Sequence, residues 1–274
     1  MRSEVEKHDS MEVVHPIGAS GNGIQPVTAP SATHLSKSTK IRICEIYESL
    51  QGEGLLAGTS SVFVRTSGCN LRCWFCDTPF ASWAPEGESL SIAEIENRCE
   101  QYLAEHYVLT GGEPMIFASL VELTKQLRAA GKHITIETAG TVYQPVHCDL
   151  ISISPKLANS TPTSEQASDS LRRAHERRRE NFQVIQSLLD EFPYQLKFVV
   201  DSPEDKAEVL TYLERLQKYC GKELDRKRLL IMPQGTNAQE LEQRAKWLIP
   251  WCEQQGLQFC PRNHITWYGN KRGT

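Results

Sequence analysis

The sequence predicts an α/β fold, a partial and open TIM-like (β/α) barrel of about six parallel strands. Two observations predict it. Strand-like runs alternate with helix-like segments that carry their own start and stop signals, and the strands fall short of the eight that close a barrel. The strand ends also collect chemistry, namely Cys69, Gly111-Gly112-Glu113, Glu137 and Ser154-Pro155-Lys156, and the carboxyl edge of parallel strands is where ligand sites gather.

Residues 1–38 mix Gly, Pro, Ser, Thr and His without period and read as a disordered extension, which leaves one domain over 39–274. Order begins at Ile41–Tyr47, where apolar and polar residues alternate as in a half-buried strand. Ser49-Leu50-Gln51-Gly52-Glu53-Gly54 then reads as a loop whose backbone approaches a neighbour or simply as a surface turn. An apolar run, Ser61–Arg65, leads into Gly68-Cys69-Asn70-Leu71-Arg72-Cys73-Trp74-Phe75-Cys76-Asp77-Thr78. Ser91 and Glu94 form a capping box for a helix running to about Ala104. A strand ends at Thr110-Gly111-Gly112-Glu113-Pro114, where Glu113 puts a negative charge beside any cationic ligand. A helix from about Phe117 to Ala130 stops at Gly131. The strands His133–Thr138 and Leu150–Ile153 follow, the second ending in Ser154-Pro155-Lys156. Arg172–Glu180 is the most basic stretch and reads as a solvated helix face with mixed charges. Beyond it come the strand Leu196–Val200, a helix entered at Ser202-Pro203, the strand Arg228–Met232 and a helix capped at Asn237. His264, near the end, reads as a structural histidine and stays outside the predicted site.

At 274 residues the chain can bury a full core. A formal charge of −4 gives no electrostatic reason to expect nucleic-acid binding. The sequence has no apolar run long enough for a membrane span and no apolar leader at its start, so a cytoplasmic, membrane-free protein is expected. Nine cysteines, an odd number with a tight triplet among them, read as reduced thiols. Cys69, Cys73 and Cys76 on one short loop describe a metal site. An iron–sulfur cluster normally takes four thiolates, so a four-iron cluster on this loop alone keeps one iron open to a ligand. The spacing also admits a closed zinc site, or a cluster completed by Cys44, Cys99, Cys148, Cys220, Cys252 or Cys260.

The spacing Cys69-x3-Cys73-x2-Cys76, with Phe75 before the third cysteine, resembles the cluster loop of the radical S-adenosylmethionine (SAM) superfamily. Gly111-Gly112-Glu113-Pro114 matches the motif that receives the SAM amino group there. Within the superfamily, Leu50-Gln51-Gly52-Glu53-Gly54, Cys76-Asp77-Thr78, Glu137-Thr138, Ser154-Pro155-Lys156 and Tyr268-Gly269-Asn270-Lys271-Arg272-Gly273 together resemble the 7-carboxy-7-deazaguanine synthases, over roughly residues 40–274.

That resemblance implies a radical SAM, Mg2+-dependent contraction of 6-carboxy-5,6,7,8-tetrahydropterin to 7-carboxy-7-deazaguanine with loss of ammonia, on the route to queuosine and related 7-deazapurines. It assigns Cys69, Cys73 and Cys76 to a 4Fe-4S cluster, and Phe75, Cys76, Asp77, Gly112, Ser154, Pro155, Lys156, Met232, Pro233, Gln234 and Gly235 to SAM. Leu50, Gln51, Gly52, Arg65 and Thr110 fall to the pterin, with Arg65 suited to bidentate capture of its carboxylate. Thr78 offers a hydroxyl oxygen to Mg2+. An electron donor such as flavodoxin or ferredoxin and a homodimer are further implications. Some family members end in a proline; this chain ends in Thr274, and its terminus is given no role. Two rivals share parts of the pattern. A glycyl-radical-enzyme activating protein has the cysteine spacing but no use for Gln51-Gly52-Glu53 with Thr78. A non-enzymatic iron–sulfur electron-transfer protein, or a zinc protein, has none for the motifs at successive strand ends.

Overall fold

The structure, a computed structural model, describes residues 40–274, so the reading of 1–38 lies outside the described residues. β1 (Lys40–Leu50) and β2 (Ser60–Thr66) form an antiparallel pair, and the short helix α1 (Pro79–Ser82) follows the cysteine loop. β3 (Glu88–Ser91) pairs with the outer edge of β1, and α2 (Ile92–Cys99) carries the predicted capping box. Then come β4 (His106–Gly111), α3 (Leu120–Ala129), β5 (His133–Thr138), β6 (Leu150–Ile153), α4 (Asp169–Arg179) and α5 (Phe182–Glu191). The chain continues through β7 (Tyr194–Val200), α6 (Asp205–Cys220), β8 (Leu229–Pro233), α7 (Ala238–Gln255), the two-residue β9 (Gln258–Phe259) and α8 (Asn263–Tyr268).

The strands form one sheet in the order β3-β1-β2-β4-β5-β6-β7-β8-β9, and every pair from β2 onward is parallel. The sheet is therefore an open partial barrel, as predicted, extended by an antiparallel β1–β3 edge. The differences from the sequence reading are local. β3 spans only four residues, too few for a readable period, and exists through its pairing with β1. α2 stops at Cys99 rather than near Ala104 because β1 draws the chain out of the helix: the Tyr102 hydroxyl donates to the Ile46 carbonyl, and the Leu103 N–H donates to Glu48. α3 starts at Leu120 after a 3-10 turn over Pro114–Ile116, and α1, α5 and α8 had no sequence reading.

Alternation along the strands divides the chemistry. Val62 and Val64, Tyr107 and Leu109, Ile134 and Ile136, Ile151 and Ile153, Leu196 and Phe198, and Leu229 and Ile231 face the helices and make the main core. The intervening residues point to the other face. In register there lie Arg65 opposite Thr110, and Glu137 opposite Ser152, which is opposite Gln195. Lys197 stands two residues further along β7. Polar side chains thus line the concave face, with Arg65, Thr110 and Glu137 near the carboxyl ends of their strands.

Candidate active site

The cysteine loop leaves β2 directly after Thr66, at the carboxyl edge of the sheet. Cys69, Cys73 and Cys76 are free thiols, each partly buried. Burial pushes the Cys69 thiol up to about 12, against the pull of the Leu71 N–H that its sulfur accepts at 3.4 Å, and it also feels Cys73 and Cys76. Burial likewise lifts Cys73 to about 11, with Lys156 pulling down. Metal binding at these sulfurs must therefore displace their protons. The loop is braced on several sides. The Trp83 indole donates to the Cys73 carbonyl at 2.9 Å, the Asn70 amide to the Thr141 hydroxyl at 3.0 Å, and Arg72 to the Cys69 carbonyl at 2.8 Å.

Among the described residues, no three His, Cys, Asp or Glu side chains gather around a point for a single metal ion. A cubane cluster asks something different, since each thiolate binds its own iron and the sulfurs need only border one shared space. The remaining cysteines are committed elsewhere. Cys99, Cys148 and Cys252 lie in the helix-facing core, Cys220 packs against that core from the end of α6, Cys260 packs with Leu230 and Met232, and Cys44 sits at a bulge in β1. The three free thiols of the loop are the donor set that a three-thiolate cluster needs.

The glycine pair has a structural cause that the sequence reading did not see. A Cβ on Gly112 would stand 2.2 Å from the Gly68 carbonyl oxygen and 2.5 Å from that of Ala81. Gly111, at φ +145°, has the Thr66 carbonyl oxygen 2.2 Å from where a Cβ would be. What these glycines admit is the backbone of the cysteine loop. Glu113, expected to face a cationic ligand, is 1% exposed. Its carboxylate accepts from the Met115 N–H at 3.1 Å, the Thr138 hydroxyl at 2.8 Å and the Ala139 N–H at 2.7 Å, so it ties the turn after β4 to the carboxyl end of β5.

At the end of β6, Lys156 folds back to donate to the Ser154 carbonyl and hydroxyl at 2.6 and 2.7 Å, and Pro155 is buried behind it. Met232 and Pro233 close β8, where Gln234 N–H donates to the Val200 carbonyl at 2.7 Å and Gly235 follows at φ +139°. Phe75 stands edge-on to Trp74, and Thr78 occupies the N-cap of α1 with its hydroxyl 3.7 Å from the Cys76 sulfur.

Arg65 is not the open fork the sequence suggested. Its Nε donates to Glu45 at 2.6 Å and one Nη donates to the Tyr47 hydroxyl at 2.8 Å. The cause is a bulge at Cys44, which shifts the pairing from Ile43 opposite Thr66 to Glu45 opposite Arg65. Without the extra residue Cys44 would face Arg65. Tyr47 stacks on Phe63 at 5.0 Å, and Arg272 near the chain end takes the second Glu45 oxygen at 2.9 Å.

A continuous polar network crosses the mouth of the barrel. The Thr110 hydroxyl donates to Glu137 at 2.8 Å, Glu137 lies 3.3 Å from the Lys197 ammonium, and Lys197 pairs with Glu53. Arg262 binds Glu53 at 3.1 Å and also Asp77. Burial alone would raise the Glu53 carboxyl, but Lys197 and then Arg262 overcome it and hold it far below its ordinary range. Asp77 is held low in the same way, by Arg262 against burial. Gln51 is buried and donates to Ser61 at 2.9 Å, while Leu50 is partly exposed at the end of β1. Gly52 lies against His264, where a Cβ would stand 2.4 Å from Nδ1, and its carbonyl accepts the Asn263 N–H at 2.9 Å. His264 therefore belongs to the site region that the sequence reading left it out of, with Nδ1 3.9 Å from Glu53. The sequence reading also missed Glu45, Lys197 and Arg262. One signal was available for Lys197: Gln195 and Lys197 alternate with Leu196 and Phe198 inside an otherwise apolar strand.

Comparison with known proteins agrees with this geometry. The model of the radical SAM superfamily matches residues 63–248. The chain is 44% identical over 246 residues to a 7-carboxy-7-deazaguanine synthase of Rhodopirellula baltica, covering 89% of this chain and 93% of that one. It is 39% identical over 246 residues to the enzyme of that name from Halobacterium salinarum, covering 88% and 96%. A crystal structure of QueE from Escherichia coli shares the fold, with a TM-score of 0.56 at 22% identity over 83% of this chain and 96% of that chain.

Proposed function

The chain belongs to the radical SAM superfamily and, within it, to the 7-carboxy-7-deazaguanine synthases, and on that premise we propose how its residues divide the work. It is a carbon–nitrogen lyase of queuosine biosynthesis. Its substrate is 6-carboxy-5,6,7,8-tetrahydropterin, which it contracts to 7-carboxy-7-deazaguanine with release of ammonia, and residues 39–274 form the catalytic domain. One observation carries the assignment of roles: Arg65 and Thr110 stand in register on β2 and β4, and the cysteine loop starts from the end of that same β2. Substrate-binding groups and thiolates thus share one edge of the sheet.

Cys69, Cys73 and Cys76 hold the cluster, which with SAM bound supplies the 5′-deoxyadenosyl radical chemistry. Phe75, Asp77, Gly112, Ser154, Pro155, Lys156 and the turn Met232–Gly235 border the SAM site. Arg65 offers the pterin carboxylate a cation already oriented by Glu45 and Tyr47, so less freedom is lost on binding. Leu50, Gln51, Gly52 and Thr110 border the ring, and Thr78 gives an oxygen to Mg2+, a cation that needs few protein ligands beside substrate and water. Lys197, Glu53 and Arg262 place paired, buried charges at the barrel mouth. No helix among the described residues is long and apolar enough to cross a membrane. A cytoplasmic homodimer reduced by a flavodoxin or ferredoxin completes the proposal.

The test is an anaerobic assay of reconstituted protein with SAM, reductant, Mg2+ and the tetrahydropterin, read by mass spectrometry, with Cys73→Ala beside it. Product that vanishes in the variant is the expected result. SAM cleavage without this product would overturn the substrate and favour an activating enzyme instead.

A further inference from the structure

Helix α4 reads from its sequence as a solvated basic face, yet one of its side chains, His175, is only 1% exposed. His175 Nδ1 accepts the Arg72 backbone N–H at 3.1 Å. An amide can only donate, so the ring proton sits on Nε2, which faces the Ser160 hydroxyl at 2.9 Å. Ser160 passes its own proton to the Leu157 carbonyl at 2.6 Å. Donors and acceptors are matched along the whole chain from Arg72 to Leu157. Arg72 lies between Cys69 and Cys73, while Leu157 and Ser160 follow directly on Ser154-Pro155-Lys156.

Other bonds run between the same two loops. The Trp74 N–H donates to the Ser160 carbonyl at 3.1 Å, and its indole donates to the Asn159 carbonyl at 2.6 Å. From α4 itself, Arg178 reaches the Asn70 carbonyl at 3.2 Å and Arg179 the Lys156 carbonyl at 3.2 Å. The helix grips both loops, and its histidine joins them.

We propose that His175 is a positioning residue that locks the cysteine loop to the loop after β6, with α4 as the brace. The inference rests on the reading of those loops as the holders of the cluster and of SAM. An imidazole suits the place because it accepts on one side and donates on the other across a fixed width. Alanine there leaves the Arg72 N–H and the Ser160 hydroxyl without this partner. Asparagine keeps an acceptor near the Nδ1 position.

The experiment compares wild type, His175→Ala, His175→Asn and Arg178→Gln. The measurements are thermal unfolding of the apo proteins, iron and sulfide content after anaerobic reconstitution, the rate of cluster bleaching in air, and the SAM-induced change in the electron paramagnetic resonance signal of the reduced cluster. KM for SAM and kcat complete the set. In His175→Ala, bleaching is expected to quicken about tenfold and KM for SAM to rise about tenfold, with a smaller change in kcat and a weakened SAM-induced signal. His175→Asn recovers most of both effects, and Arg178→Gln shows a milder form of them. A merely structural histidine would lower the melting temperature and leave the bleaching rate, the SAM response and KM as in wild type; that result overturns the inference. Should His175→Ala not fold, wild-type bleaching and KM in Arg178→Gln overturn it equally. Wild type that takes up four irons and responds to SAM keeps the underlying reading whatever the variants do, whereas wild type that takes up no iron removes both.

Discussion

Replacing Lys197 by Met tests whether the paired charges at the barrel mouth stabilise the fold. The substitution keeps an unbranched side chain and deletes an ammonium that is 5% exposed as a residue and lies between Glu53 and Glu137. Removing one partner of a buried pair typically costs about 3–5 kcal/mol, because the other charge is left without compensation. The lower end applies here, since Glu53 retains Arg262 and Glu137 is about one-third exposed with the Thr110 hydroxyl as partner. About 3 kcal/mol in a domain of this size lowers the melting temperature by roughly 6–12 °C. The pH dependence carries the sign. Glu53 in the wild type lies below its ordinary value of 4.5, so its stabilisation is present above that value and is lost as pH falls through the lower folded one. Without Lys197, burial pushes the carboxyl upward and the variant takes up its proton at higher pH. The deficit is therefore largest near pH 7.5 and narrows on going to pH 5. Urea unfolding of the apo proteins, followed by circular dichroism at both pH values, measures it. A deficit below about 1 kcal/mol at pH 7.5, or one that widens at pH 5, refutes the reasoning.

Two further substitutions probe the site directly. Gly112→Ala places a methyl group against the Gly68 and Ala81 carbonyls and forces the cysteine loop outward, so iron uptake on reconstitution should fall while about 1–3 kcal/mol of stability is lost; normal iron content would contradict the packing role. Arg65→Lys keeps the charge but loses the planar fork that Glu45 and Tyr47 orient, and steady-state kinetics should show KM for the pterin raised about tenfold with kcat less affected.

Much of this protein was readable from local sequence. The alternation of strands with helices, the capping box at Ser91, the cysteine triplet and the motifs at the strand ends all depend on residues close together in the chain, where periodicity and spacing constrain structure directly. Thus the open barrel, the cysteine loop and the placement of Arg65 and Thr110 near the carboxyl edge were legible before any coordinates. What only the tertiary structure decided are the partners. A one-residue bulge in β1 brings Glu45 rather than Cys44 opposite Arg65. Glu53 meets Lys197 across 144 positions of sequence and Arg262 across 209. The same folding turns Glu113 inward, brings His264 to Gly52, and buries His175 from a helix that looks solvated. Local sequence carries no record of which distant side chain lies opposite in register, and the competition between desolvation and pairing that sets these charges is resolved only when the strands are side by side.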